Sequence, residues 1–220
     1  MIMKVLAHII IFLFCLTFAQ KANASNYVSN ERVEALVKDS AETDSLDALV
    51  ENRNPKRHMT FMGIPITGTI DQFSAKLKAK GISCDYKVSA RLDKGIRAFC
   101  GTFMGETYRT IVVNYNPYTK IVYEVMVFLG KCTYTQAWNK YIKIYPMLVN
   151  KYQEELLCTE EGDGDNKAKY AFFHLEDGDI ALSLSYEDNE YEYYNVVCYT
   201  DLINKRKNKS VNDQKVYNDL

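Results

Sequence analysis

Few side chains in this sequence are placed for metal binding or catalysis. Beyond residue 24 there are five cysteines, Cys84, Cys100, Cys132, Cys158 and Cys198, and two histidines, His58 and His174. Neither histidine lies near a Cys-x-x-Cys or a second His one turn away, so the spacing with which adjacent turns present zinc ligands is missing. The acidic stretch from Glu160 to Asn166 offers oxygen ligands at alternate positions, as calcium loops do. Counted from Asp163, however, the sixth and twelfth places hold Ala168 and His174, where such a loop needs Gly for its turn and Glu for bidentate ligation. Phosphate-cradling glycine loops are absent as well. No metal and no cofactor is expected.

A nucleophile needs a base beside it and donors for the developing oxyanion. No Gly-x-Ser-x-Gly turn occurs, and Ser183 and Ser185 fall in the middle of an alternating strand. Cys132 stands just before a predicted helix start, where the helix dipole lowers a thiol pKa, yet a buried or oxidised structural cysteine fits the position better. His174 alternates with Phe173 and Leu175 and reads as a sheet residue. No catalytic residue is assigned on these grounds. The remaining oddity is a count of 17 tyrosines. Tyr191, Tyr193 and Tyr199 share one face of a strand, with Tyr194 opposite, and such rings offer a large contact area with few rotamers to freeze. They form the candidate recognition surface, although tyrosine also fills half-buried sheets without any such role.

The N-terminus states where the chain works. Lys4 precedes an apolar run over residues 5–18, and Ala22-Asn23-Ala24 gives the small-x-small pattern of an export-signal cleavage site before Ser25. That run is about 14 residues, against the roughly 20 that a helix needs to span a bilayer. Residues 1–24 are expected to be removed, placing the protein in the periplasm, at the cell surface or outside the cell. Loss of Lys4 and Lys21 leaves 25 basic against 28 acidic residues, a formal charge of −3. A balance so near neutral argues against a dedicated nucleic-acid or anionic-membrane binder. Export permits disulfides, and an odd number of cysteines leaves one over. Pairing within structural units favours Cys84 with Cys100 and Cys158 with Cys198, leaving Cys132 as the expected free thiol. Cys132 and Cys158 flank one long predicted helix and stand roughly 40 Å apart by its rise, too far to bridge.

The elements that must position these residues recur in two cycles. Residues 25–57 read as a polar leader without sustained apolar period. Thr69 and Gln72 give a capping-box start, Ile70, Phe73 and Leu77 form one helical face, and Gly81 supplies the stop. Strand-like runs follow at about 96–104, 107–115 and 120–129, the last apolar on both faces except for Glu124 and the best candidate for a central strand. Thr133 and Gln136 repeat the cap, and an apolar stripe from Trp138 to Leu156 predicts a long helix that Pro146 kinks or splits. Strands at about 169–175, 180–186 and 191–199 come next. A shift of 73 residues lays Phe99 on Phe172, Gly105 on Gly178 and Asn116 on Asn189. The prediction is an α+β domain over residues 58–203, with pseudo-repeats at about 61–130 and 131–203. Its antiparallel sheet has about seven strands from two helix-plus-three-strand units, with the helices packed on one face. Residues 204–220, with Lys205, Arg206, Lys207 and Lys209, read as a basic, flexible tail.

The stretch Phe61-Met62-Gly63-Ile64-Pro65-Ile66-Thr67-Gly68-Thr69-Ile70-Asp71-Gln72-Phe73 resembles the opening of uncharacterised exported proteins of gut Bacteroidota. That resemblance implies a periplasmic or surface location, and makes Asp39-Ser40-Ala41 and Asp44-Ser45-Leu46 similar to that phylum's O-glycosylation sites. In outline the tandem unit is also similar to the β-lactamase inhibitor protein and its relatives, whose units carry paired helices and four strands. No inhibitory residue transfers, and shared architecture does not fix function. The expectation is an exported, non-catalytic protein that binds another protein or a cell-envelope component through an open sheet face or edge. An inhibitor of a secreted enzyme is the narrower alternative, and a hydrolase-type enzyme the other.

Overall fold

A computed structural model describes residues 52–152, 157–162, 168–187 and 192–218. The chain enters through a two-residue hairpin, β1 (Thr60–Phe61) and β2 (Ile64–Pro65), and continues into helix α1 (Ile70–Ala79). A short strand β3 (Ser83–Cys84) and a single turn α2 (Tyr86–Ser89) lead to β4 (Ile96–Phe103), β5 (Glu106–Tyr115) and β6 (Val122–Cys132). Helix α3 (Tyr134–Tyr152) then opens a second cycle of β7 (Leu157–Gly162), β8 (Lys169–His174), β9 (Gly178–Glu187) and β10 (Glu192–Asp201), closed by α4 (Leu202–Asn218). The strands β3 to β10 form one eight-stranded sheet in the order β3-β4-β5-β6-β10-β9-β8-β7, and every pairing in it is antiparallel. Each cycle is thus one helix and a four-strand meander, one strand more than the sequence predicts, and β6 and β10 join the two meanders at the centre.

Helices α1 and α3 start where the sequence places them. Thr69 Oγ1 accepts from Gln72 N at 3.4 Å while Thr69 N donates to Gln72 Oε1 at 3.0 Å, and Thr133 and Gln136 repeat the exchange at 3.4 and 3.1 Å. Each exchange satisfies two amides that a helix start leaves without partners, worth about 1 kcal/mol. Pro146 sits inside α3 without dividing it. The hydrogen bond it deletes is to the carbonyl of Ile142, an exposed position, so water replaces the missing donor.

Cross-strand register sorts the sheet into two faces, since directly opposed residues point the same way. On the first face Val113, Val125, Tyr199, Ile180 and Phe173 form one row, and Phe99, Ile111, Val127, Val197, Leu182 and Ala171 the next. Ile70, Phe73 and Leu77 of α1 and Ala137, Tyr141, Ile144 and Leu148 of α3 close over these rows in one core. Fully burying a Phe such as Phe73, Phe99 or Phe173 stabilises by about 2–3 kcal/mol each. Opposite this lies a smaller apolar patch of Val112, Met126, Tyr194, Val196 and Cys198, against which Leu92 and Ile96 pack.

The two ends of the domain differ from expectation. The leader does not stop short of the body: Arg53 donates to the carbonyls of Leu175 (2.7 Å) and Gly178 (3.3 Å), and Arg57 pairs with Asp177. Gly178 is required there, because a Cβ would collide with the Thr200 carbonyl and with Met59. Residues 202–218 are helix rather than tail. Asn204 Nδ2 donates to the carbonyls of Ile66 and Val122 at 2.9 Å each, and Asn116 Nδ2 donates to Asn208 Oδ1, so amides rather than an apolar stripe seat α4. The signal, the rest of the leader and its hydroxyl triplets lie outside the described residues. Among the described residues no helix is long and apolar enough to cross a membrane.

Candidate functional site

The structure moves the tyrosine surface to the wrong side for recognition. Tyr193 and Tyr199 do share a face, but it is the helix-covered one. Tyr199 keeps 7% exposure with its ring edge-on to Phe61 at 5.4 Å, and burial pushes its hydroxyl far above the usual phenol range. Tyr193 packs between Tyr134 of α3 (5.1 Å) and Tyr186 (4.8 Å). Tyr191 lies outside the described residues. Of that strand's rings only Tyr194 looks to the second face.

Neither expected disulfide forms. Cys84 stands opposite Phe99 and Cys100 opposite Ser83, so the two thiols leave opposite faces of the sheet, Cys84 toward the first core and Cys100 into solvent. Cys158 is in β7 and Cys198 in β10, three strand spacings or roughly 14 Å apart, beyond disulfide reach. Cys84, Cys100 and Cys198 are free thiols. Cys132 ends β6 half-buried against the first core, opposite Tyr193, while the neighbouring helix start is already capped by Thr133. No acid–base pair is assembled around it by any hydrogen bond to His58 or His174, whose carboxylates are elsewhere.

His174 is more than a sheet residue. Its Nδ1 lies 2.9 Å from Asp179 Oδ1, its cross-strand partner, and Arg53 Nη2 meets the same oxygen at 2.8 Å. Burial alone would raise the Asp179 carboxyl, but the hydrogen bonds and charges of His174 and Arg53 outweigh it and hold it below the ordinary range. Nearby, the Asp201 side chain accepts from Met59 N (2.8 Å) and Asn204 N (2.7 Å), with His58 Nδ1 at 3.1 Å. Here burial dominates these contacts and raises the carboxyl. Both histidines are therefore spent at one end of the sheet, fastening the N-terminal segment, the β8–β9 turn and the start of α4.

Asp179 and His174 belong to a longer row that register draws across the second face: Ile96, Asn114, Glu124, Thr200, Asp179 and His174, contributed by six consecutive strands. Its centre is buried. Glu124 is 4% exposed, Asn114 2% and Thr200 5%. Asn114 Nδ2 donates to Glu124 Oε2 at 2.6 Å and Thr200 Oγ1 donates to Glu124 Oε1 at 3.1 Å. With that hydroxyl proton committed, the Cys198 thiol is the donor in its 3.8 Å contact to Thr200. Burial and then the charge of Glu124 push Cys198 well above the usual thiol range, and the same two causes raise the hydroxyl of Tyr123 far above that of phenol. Both stay protonated at neutral pH, so neither is an activated nucleophile.

Beyond this polar row the second face carries the apolar patch, with half-buried Phe128, Tyr170, Phe172 and Ala181 around Val196, Met126 and Cys198. Ser183 Oγ and Asn114 Oδ1, buried on this face, have no hydrogen-bond partner. No group of three or more His, Cys, Asp and Glu side chains able to hold a metal occurs among the described residues. The acidic stretch considered for calcium divides between β7, which takes residues 160–162, and residues 163–166, which lie outside the described residues. Sequence reasoning missed the row, although one signal was present: Glu124 is the lone charge in the otherwise apolar run of β6. No protein-family model, curated protein or solved structure matches the chain.

Proposed function

We propose that the mature chain is an exported, non-catalytic binding protein whose second sheet face receives another protein or a cell-envelope component. The observation that carries this reading is the aromatic set Phe128, Tyr170 and Phe172, half-buried on the face opposite α1 and α3. Such rings contribute contact area at low conformational cost. The titratable groups that would otherwise suit catalysis are held in internal contacts: Asp179 by His174 and Arg53, Asp201 by His58, and Glu124 by Asn114 and Thr200.

The test places a photo-crosslinking residue at position 172 on the second face and, separately, at 142 on the outer side of α3, in mature protein exposed to envelope extract. A specific adduct from 172 and none from 142 supports the reading. Adducts from 142 alone, or none from either, overturn it. Inhibition of a secreted enzyme would be one form of such binding. A hydrolase-type reading draws on the His174–Asp179 pair, which leaves His174 Nε2 outside that contact. Ester or amide turnover that His174→Ala abolishes would favour it.

A further inference from the structure

The charge at the centre of the second face lacks a counter-ion. Glu124 is almost wholly buried in the middle of the sheet, and among the described residues no cation lies within 4.0 Å of its carboxylate. Its donors are all neutral: the Asn114 amide and the Thr200 hydroxyl, with the Cys198 thiol also directed at it. Lys205, a cation whose field reaches the adjoining Cys198, is itself exposed at the start of α4 and makes no ion pair with the row. Burying a carboxylate without a counter-ion leaves its hydrogen bonds alone to offset the lost hydration. Beside it is a second, independent deficit. Asn114 has turned its amide nitrogen toward Glu124, which leaves Asn114 Oδ1 buried and without a donor.

An anionic acceptor and a neutral acceptor side by side, both short of donors, describe the complement of a cationic hydrogen-bond donor. We propose that the Asn114-Glu124-Thr200 row binds a primary ammonium group, such as a lysine side chain of the partner that docks on the second face. The ammonium would donate to Asn114 Oδ1 and Glu124 together, supplying the missing counter-charge and the missing donor in one group. Glu124 retains only 4% exposure, so the admitted group must be slim. A compact ammonium on a flexible alkyl stem makes a smaller steric demand there than a planar guanidinium, and the half-buried Phe128 lies on the same face of that strand. The inference rests on the reading of the second face as a binding surface.

The probes are acetyl-tetralysine amide and the same peptide with every Nε acetylated, added to the full mature chain and followed by thermal unfolding. The free peptide is expected to raise Tm by about 3 °C at ten times its Kd, the acetylated peptide to have no effect, and Glu124→Gln to abolish the response. A second readout needs no ligand. In Glu124→Gln the Asn114 amide can flip and accept from the new side-chain nitrogen, so the unliganded variant should melt about 2–4 °C higher than wild type. A lower Tm for Glu124→Gln would show the charge to be satisfied internally and overturn the proposal. So would equal responses to the two peptides, or an equal, Glu124-dependent response to KCl at matched ionic strength, which would assign the row to an inorganic cation. If position 172 still crosslinks the partner while Glu124→Gln binds it unchanged, this inference falls and the binding face stands.

Discussion

The two faces of the sheet are built by opposite rules. The first is a mostly apolar surface closed by two capped helices, interrupted by buried Asn195, whose Oδ1 has no hydrogen-bond partner. The second mixes a small apolar patch with a polar row whose acceptors outnumber their donors. Packing density holds the first face together, whereas the second tolerates polar groups that cost stability. Such groups persist in folds where they serve recognition, because stability there is given up for a site.

Adjacent residues of β8 sample both rules. Phe173 is fully buried under α3, with the Tyr145 ring tilted against it at 5.8 Å, while Phe172 points the other way and stays half-buried. Phe173→Ala is expected to destabilise by about 3–5 kcal/mol, through lost transfer energy and the cavity left behind. Phe172→Ala should cost about 1 kcal/mol or less, since its site is partly solvated already. Urea denaturation of the two variants measures both. Equal losses would mean that the second face is as closely packed as the first and would remove the contrast.

The next effect separates two carboxylates at the end of the sheet. Asp179 is held below its ordinary range, so the stability it contributes is present above its unfolded pKa near 3.8 and is lost as pH falls through the folded value. Asp201 is raised, so its contribution is present below that same unfolded value and is lost as pH rises through the folded one. Asp179→Asn should therefore flatten the acid limb of the stability curve and cost about 1–3 kcal/mol at pH 7, where Arg53 and His174 lose a charged acceptor. Asp201→Asn should remove the decline on the way up from acid. Denaturant midpoints across pH 2.5 to 7, at roughly half-unit steps, test the opposite signs.

These contrasts show what a sequence can and cannot carry. Period and punctuation located six strands and both capped helices, because each is written in neighbouring residues. The tyrosine phase was also legible, as Tyr193 and Tyr199 do share a face. Alternation gives the phase of a strand and not which side the helices cover, and so the recognition surface was assigned to the buried side. The shift of 73 residues that superposes the two cycles lays core Phe99 on Phe172 of the opposite face. β7 escaped notice because its acidic residues suit a sheet edge, where charge is tolerated and discourages further pairing. α4 escaped because Asn204 and Asn208 anchor it and no apolar stripe announces it. The polar row was invisible for a deeper reason. Asn114, Glu124 and Thr200 meet only through strand register, Glu124 and Thr200 lying 76 residues apart in sequence, and no local pattern encodes that.

The smallest expected effect concerns the caps, which serve the two faces unequally. Thr69→Ala and Thr133→Ala each remove one side of a capping box on a helix of 10 or 19 residues that shields the first core. Each should cost about 1 kcal/mol. Asp85 makes the corresponding contact for α2, its Oδ1 accepting from Val88 N at 3.0 Å, but that helix has four residues and buries none of them. A helix so short has little cooperative structure to lose, and the following Leu92, packed on the second face, is held through Ser89, whose hydroxyl donates to Ala98 O at 3.2 Å and accepts from Ala98 N at 3.0 Å. Asp85→Ala should therefore cost no more than about 0.5 kcal/mol, with amide exchange speeding up in residues 86–92 alone. A loss equal to that of the threonine caps would make α2 a structural support of the second face, and would oblige the site there to be counted as packed core.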